Sequence, residues 1–144
     1  MIKKILFISD TPTHPQNAGN RSRIFNMASF LIEQGHEVHF LHSLEQLCDE
    51  EKMKEFWKDR YHVVEYKKPV QKQQSGYLNT IKHLLNPNLK YLIKTDDNYN
   101  LLLDDFIRNL IKKISFDVVI VEYIFLSKAF LHFDKHVLKV IDTH

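Results

Sequence analysis

The sequence predicts an α/β fold, a doubly wound, mostly parallel sheet with strand order 3-2-1-4-5 and helices on both faces. Three observations predict it. Two runs, Lys3 to Ser9, apolar after its two lysines, and Phe116 to Val121, apolar but for Asp117, have the length and character of strands buried on both faces, as parallel strands are. Segments with strand character alternate along the chain with segments of helical periodicity. Gly35 stands between the first helical segment and the second strand, where a helix end wants a residue at positive φ. At 144 residues, 44% of them hydrophobic, the chain has the length and apolar content of one domain with a real core.

The elements follow in order. After the first strand comes a turn-rich loop from Asp10 to Asn20. The spacing of Ile24, Met27, Ala28, Leu31 and Ile32 predicts a helix over Arg21–Gln34, with Asn20 as its cap. Glu37–His42 reads as the second strand, completing a right-handed βαβ unit. Ser43 with Gln46 forms a capping box that predicts a helix over Leu44–Asp59. Tyr61–Tyr66 is the third strand, and Lys67–Ser75 a polar loop. Residues 76–94 carry two short helical patterns broken at Asn86-Pro87. Asp96, Asp97 and Asn98 are candidate caps for a helix through Lys113, with Leu101, Leu102, Phe106, Leu110 and Ile114 as its apolar face. Phe116–Val121 is the fourth strand, Tyr123–His132 a weak helix and Val137–Ile141 the fifth strand. The most apolar strands, the first and fourth, belong at the centre. Ligands are then expected at the switch point between them, outside the carboxyl ends. Those ends carry Ser9 and Asp10, Glu122 and Tyr123, and Asp142 to His144, with His42 and Ser43 on the second strand.

Composition and motifs exclude several function classes. A single cysteine, Cys48, rules out an internal disulfide. No apolar run approaches the ~20 residues of a membrane span. The N-terminus opens like a signal peptide, but its apolar stretch is short and no small-residue cleavage site follows. A dinucleotide fingerprint needs three close glycines in the first βα turn, and only Gly19 lies there. No Gly-Lys-Ser/Thr follows the first strand, which excludes a P-loop. A receiver domain would end its third strand in a phosphorylatable Asp, whereas this one ends in Glu65-Tyr66. His36, His39 and His42 are spaced by three, which on a strand places neighbours on opposite faces and prevents shared chelation. His14 and His144 could meet at the sheet edge with Asp10, Glu122 or Asp142, but no local ligand motif supports a metal site there.

Charge is unevenly placed. Residues 1–51 have net charge −3, residues 52–94 +7 and residues 95–144 −2. The middle block interleaves its lysines with Tyr61, Tyr66, Tyr77 and Tyr91, which reads either as solvated surface or as attraction for phosphate-bearing partners. In the first loop, Gly19 permits close backbone approach, and the following helix aims its N–H groups at the crevice. Arg21 and Arg23 lie in the first helical turn, where the dipole disfavours cations. They call for an anion or a partner carboxylate.

The run Ala18-Gly-Asn-Arg-Ser-Arg23, then Glu33-Gln-Gly-His-Glu-Val38, Phe116-Asp-Val-Val-Ile-Val-Glu122 and Val140-Ile-Asp-Thr-His144, in that order, resembles the N-terminal domain of family 4 glycosyltransferases. That family has the GT-B fold, two Rossmann-like domains facing a cleft. The resemblance implies an acceptor-binding half of an enzyme that transfers a sugar from a nucleotide-sugar donor to a glycan or lipid acceptor. It implies retention of anomeric configuration, and neither a cofactor nor a divalent metal. His144 matches the family's histidine beside the transferring sugar. Glu122 lies at an equivalent strand end, suited to acceptor hydroxyls; Ala18 and Gly19 stand in the loop near the diphosphate, Arg21 follows it as a group to neutralise phosphate, and Asp10, Asn20 and Tyr123 complete the expected substrate-binding set. Many members have Gly-Gly where this chain has Ala18-Gly19. A cytoplasmic location follows, with peripheral membrane contact through the basic 52–94 segment and without nucleic acid as a partner. The donor half with its paired glutamates is absent from these residues, so the chain is expected to be a truncated domain, inactive alone. The alternative is a non-catalytic α/β ligand-binding or interaction domain.

Overall fold

The computed structural model describes residues 1–44, 46–65 and 99–143. Five parallel strands form one sheet in the order β3-β2-β1-β4-β5. The strands are β1 (Lys4–Ser9), β2 (Glu37–Leu44), β3 (Tyr61–Glu65), β4 (Val118–Glu122) and β5 (Leu138–Asp142). Helices α1 (Gly19–Glu33), α2 (Glu50–Trp57) and α3 (Leu101–Ile111) accompany them, together with a 3₁₀ stretch over Ile124–His132.

The alternation of β1 explains the two-layered core. Ile5 and Phe7 face one side and join Ile24 and Ala28 of α1 and Met53 and Trp57 of α2. Leu6 and Ile8 face the other and join Leu103, Ile107 and Leu110 of α3 with Leu126 and Ala129. Each large apolar side chain so buried stabilises by about 1.5–3 kcal/mol. Helices therefore cover both faces, and β1 with β4 lies inside the sheet, as the apolar runs predict.

Helix α1 ends as its sequence demands. Gly35 has φ +83°, its N–H donates to the Ile32 carbonyl (2.9 Å), and the His36 N–H donates to the Leu31 carbonyl (3.1 Å). This is a Schellman motif. An Ala at Gly35 would sit in the left-handed region at a cost of about 1–2 kcal/mol. Gly19 has no positive φ, and a Cβ there would meet nothing within 4 Å. Urea denaturation should therefore show Gly35→Ala losing about 1 kcal/mol or more, and Gly19→Ala losing no stability.

Several element boundaries differ from the sequence reading. Ser43 does not open a helix. It lies inside β2, which continues to pair with β3 through Leu44 and Glu65. Asp49 is the true cap of α2, accepting from the Lys52 N–H (3.2 Å). The cap of α3 is Asn100, whose Oδ1 accepts from the Leu102 N–H and whose Nδ2 donates to Ser43 Oγ (2.9 Å) and to the Glu65 carbonyl (2.9 Å). The apolar face of α3 is also rotated from expectation, since Leu103, Ile107 and Leu110 are buried while Leu101 is 49% exposed. Residues 66–98, including Tyr66, the polar loop, both short helical patterns and the caps expected at Asp96–Asn98, lie outside the described residues.

Candidate functional site

The connections leaving β1 and β4 go to opposite faces, so a crevice opens at their carboxyl ends. The loop after β1 forms one wall. Ser9 Oγ accepts from the Thr11 N–H (2.9 Å) and donates to the Thr11 carbonyl (2.8 Å), turning the chain sharply. Thr13 Oγ1 accepts from Trp57 Nε1 (3.0 Å), and Thr11 Oγ1 accepts from Gln46 Nε2 (3.2 Å). Thr11 and Thr13 are both fully buried, so the loop is pinned from beneath. The His14–Pro15 peptide is cis.

Asn20 does not cap α1. The cap is Ala18, extended at φ −143° and ψ 151°, with no side-chain bond to the helix. The helix starts two residues earlier than predicted because Gly19 and Asn20 both accept helical geometry. Asn20 Oδ1 instead accepts from the Arg21 N–H (2.9 Å). Arg21 turns away from β4: its Nη2 donates to the Leu47 carbonyl (3.0 Å). Gly19 faces open space, so the α1 N-terminus is sterically accessible at the crevice.

Arg23, and not Arg21, carries the charge into the centre. Its Nη2 donates to Glu122 Oε2 (2.8 Å), and its Nη1 pairs with Asp142 Oδ2. The register that sets Glu122 beside Asp142 across β4 and β5 brings both carboxylates to one guanidinium. This is the partner carboxylate that the misplaced first-turn arginines call for. The i, i+2 spacing of Arg21 and Arg23 sends the two side chains to different sides of the helix.

Glu122 is fully buried, and among the described residues its Oε1 has no hydrogen-bond partner. Burial raises its pKa above the ordinary carboxylate value; the bond and charge of Arg23 pull it back, and the nearby Asp10 pushes it further up. Burial likewise raises Asp10, against the Thr11 hydroxyl that donates to its Oδ1 (3.2 Å). Three carboxylates, Asp10, Glu122 and Asp142, thus gather at the mouth of the sheet, the latter two on one guanidinium. Such a set accepts hydrogen bonds from hydroxyl groups, and its buried members hold protons more readily than ordinary carboxylates do. Tyr123 follows at φ +65°, a conformation a tyrosine rarely adopts, with its N–H donating to the Asp142 carbonyl (3.0 Å). Strain of this kind concentrates where a side chain must be aimed.

His42, at the same edge on β2, is fully buried. Its Nδ1 meets the Tyr61 hydroxyl (3.0 Å), while Nε2 has no partner of hydrogen-bonding geometry among the described residues. Burial lowers its pKa to about 4; the Asp10 backbone works the other way and the Arg21 charge lowers it further.

The structure therefore brings Asp10, Glu122 and Tyr123 to one edge with Ala18, Gly19 and Asn20 at the adjoining helix start, and leaves Arg21 aside. His144 lies outside the described residues. Among the described residues no group of three or more His, Cys, Asp or Glu is arranged to hold a metal ion. No helix among them is long and apolar enough to cross a membrane.

No family model matches the chain, and no curated protein matches it. Among solved structures it is similar to the C-terminal domain (residues 78–226) of a hydrogenase from Pyrococcus furiosus, with a TM-score of 0.56 and 16% identity over 98% of this chain and 91% of that one. A second structure of that domain (residues 83–215) has a TM-score of 0.49 at 16% identity, covering 99% of this chain and 94% of that one. At such identity the first likeness shows the fold alone, and function must be argued from the site. The chain has an α/β, Rossmann-like fold with an all-parallel sheet in the order 3-2-1-4-5.

Proposed function

We propose that this chain is the acceptor-binding half of a glycosyltransferase, holding the hydroxyl groups of a glycan or lipid-linked sugar at the carboxyl edge of β1, β4 and β5. The observation that carries the proposal is the Arg23–Glu122–Asp142 cluster with Asp10 beside it. Carboxylates oriented by an arginine are suited to accepting hydrogen bonds from polyhydroxylated ligands. In this reading a second domain holds most of the nucleotide-sugar donor, and the accessible α1 N-terminus faces its diphosphate. The placement of Arg21 against Leu47 leaves the helix N–H groups, and not that side chain, to meet the phosphate. Peripheral contact with an anionic membrane through the 52–94 segment belongs to the same proposal.

Thermal denaturation with a ligand panel tests it, since a ligand that binds only the folded chain raises the melting temperature. Neutral mono- and disaccharides at high concentration are expected to raise it, whereas NAD, FAD and ATP are not. Stabilisation by a dinucleotide with none by any sugar would replace this proposal with a dinucleotide-binding one.

A further inference from the structure

A second surface, on the helical face that adjoins the carboxyl edge, is built like a ligand groove. Helix α1 packs Ile24 and Ala28 inward, and its outward stripe of Asn26, Ser29, Phe30 and Glu33 forms one wall of an open groove of about 470 Å³. Phe56 of α2 forms the facing wall, with Phe25 at its side. Phe30 is 58% exposed, so its ring presents an apolar face to whatever enters the groove. On the other side of Phe56 lies a second hollow of about 460 Å³, lined by His14, Lys52, Glu55, Phe56 and Lys58. The rings of His14, Phe25 and Phe56 pack together at centroid separations of 4.9–5.4 Å and form the divide between the two hollows. Each volume falls in the range of small-molecule sites, roughly 300–1,000 Å³.

We infer that this double groove binds a neutral oligosaccharide chain. The walls select the chemistry. Aromatic rings offer flat apolar surfaces of the kind that cover the C–H faces of pyranose rings, and Asn26, Glu33, Lys52 and Glu55 between them supply donors and acceptors for hydroxyls. Charge gives little hold on an ionic ligand: the first hollow is lined by Glu33 with no cation beside it among the described residues, and Lys52 and Lys58 oppose Glu55 in the second. Lys52 is further offset by Asp49 at 3.2 Å. Burial lowers the His14 pKa below its ordinary value, which favours the uncharged imidazole. Two hollows in series call for a ligand with more than one repeating unit. His14 belongs to the loop that walls the carboxyl edge, so a glycan in the groove runs from that edge along α2. As an acceptor subsite the inference rests on the proposed function; as a glycan-binding groove it stands on its own lining.

Amide chemical-shift mapping of the chain with neutral sugars tests it, using glucose, mannose and N-acetylglucosamine and their β1-4 or α1-4 tetrasaccharides, with dodecyl phosphate and inorganic phosphate as anionic comparisons. The tetrasaccharide of at least one series is expected to shift Asn26, Phe30 and Phe56 and to bind at least fivefold more tightly than its monosaccharide. Phe30→Ala, at an exposed position, should remove that gain while leaving the monosaccharide shifts at Arg23 and Glu122 in place. Sugar shifts confined to Asp10, Arg23 and Glu122 would overturn the groove and leave the proposed function standing. Groove shifts with dodecyl phosphate but with no sugar would also overturn it, as would Phe30→Ala binding the tetrasaccharide as tightly as the parent chain. Absence of any sugar-induced shift would overturn both readings.

Discussion

Replacing Arg23 with Ala should destabilise the fold by about 2–4 kcal/mol at pH 7. Removing one member of a buried ion pair costs about 3–5 kcal/mol because the other charge is stranded. The lower figure reflects the Arg23 side chain being 30% exposed, which admits solvent to the pair. Glu122 limits the loss in a recognisable way. Without the guanidinium its buried carboxyl, already raised by burial, moves higher and takes up a proton. A carboxyl whose folded pKa is raised contributes stability below its unfolded value and loses it as pH rises. The deficit of Arg23→Ala should therefore be smallest near the ordinary carboxylate pKa of about 4 and grow toward neutral pH. Glu122→Gln in the same chain should recover part of it, since a neutral amide needs no counter-charge. Urea midpoints of the single and double variants across that range measure the coupling directly.

Acid should weaken the protein through two histidines. His42 and His62 both have pKa values lowered from the usual 6.5 to about 4. Burial is the main cause in each; for His62 the neighbouring His39, whose Nδ1 lies 3.0 Å from His62 Nε2, adds to it. The unfolded chain binds the proton first, so the stability these neutral rings contribute is complete above about pH 6.5. It is lost as pH falls from there to about 4. Each tenfold difference in proton affinity between folded and unfolded chain is worth about 1.4 kcal/mol, so fully buried His42 accounts for roughly 3 kcal/mol of that loss. His42→Asn, which keeps a polar partner for the Tyr61 hydroxyl, should flatten the stability curve over that interval by about the same amount. A curve of unchanged slope would mean that His42 is protonated in the folded chain.

Much of the architecture is legible because it rests on periodicity. The run Ile5 to Ile8 has no polar position, and only a strand covered on both faces tolerates that; its central place in the sheet follows. Gly35 marks the end of α1 because no other residue is as easily held at φ +83°. Where the pattern is degenerate, tertiary packing decides the outcome. Three consecutive leucines, 101 to 103, leave the phase of α3 undetermined, and the packing of Leu103 against the sheet, not the local sequence, decides it. Ser43 and Gln46 match a capping box, but the ladder to β3 competes for the same stretch of chain and wins.

At the site, the strand ends are legible and the partnerships are not. Asp10, Glu122 and Asp142 follow from strand boundaries and sheet order. The choice of Arg23 over Arg21 depends on which side of α1 faces β4, a tertiary relation. The signal available was electrostatic: an arginine in a first helical turn needs a carboxylate, and β4 ends in one. The lowered pKa of His42 and the strained backbone of Tyr123 carry no sequence mark at all, since burial and conformation make them unusual.

The claim that the carboxyl edge of β1, β4 and β5 recognises sugar hydroxyls is tested most directly by calorimetric titration of the chain and of Glu122→Gln with the sugar that gives the largest thermal stabilisation. At least a tenfold loss of affinity is expected in the variant, with its circular dichroism unchanged, because an amide is a weaker acceptor than a carboxylate oriented by Arg23. Equal affinity for the two proteins would contradict it and place sugar recognition elsewhere on the fold.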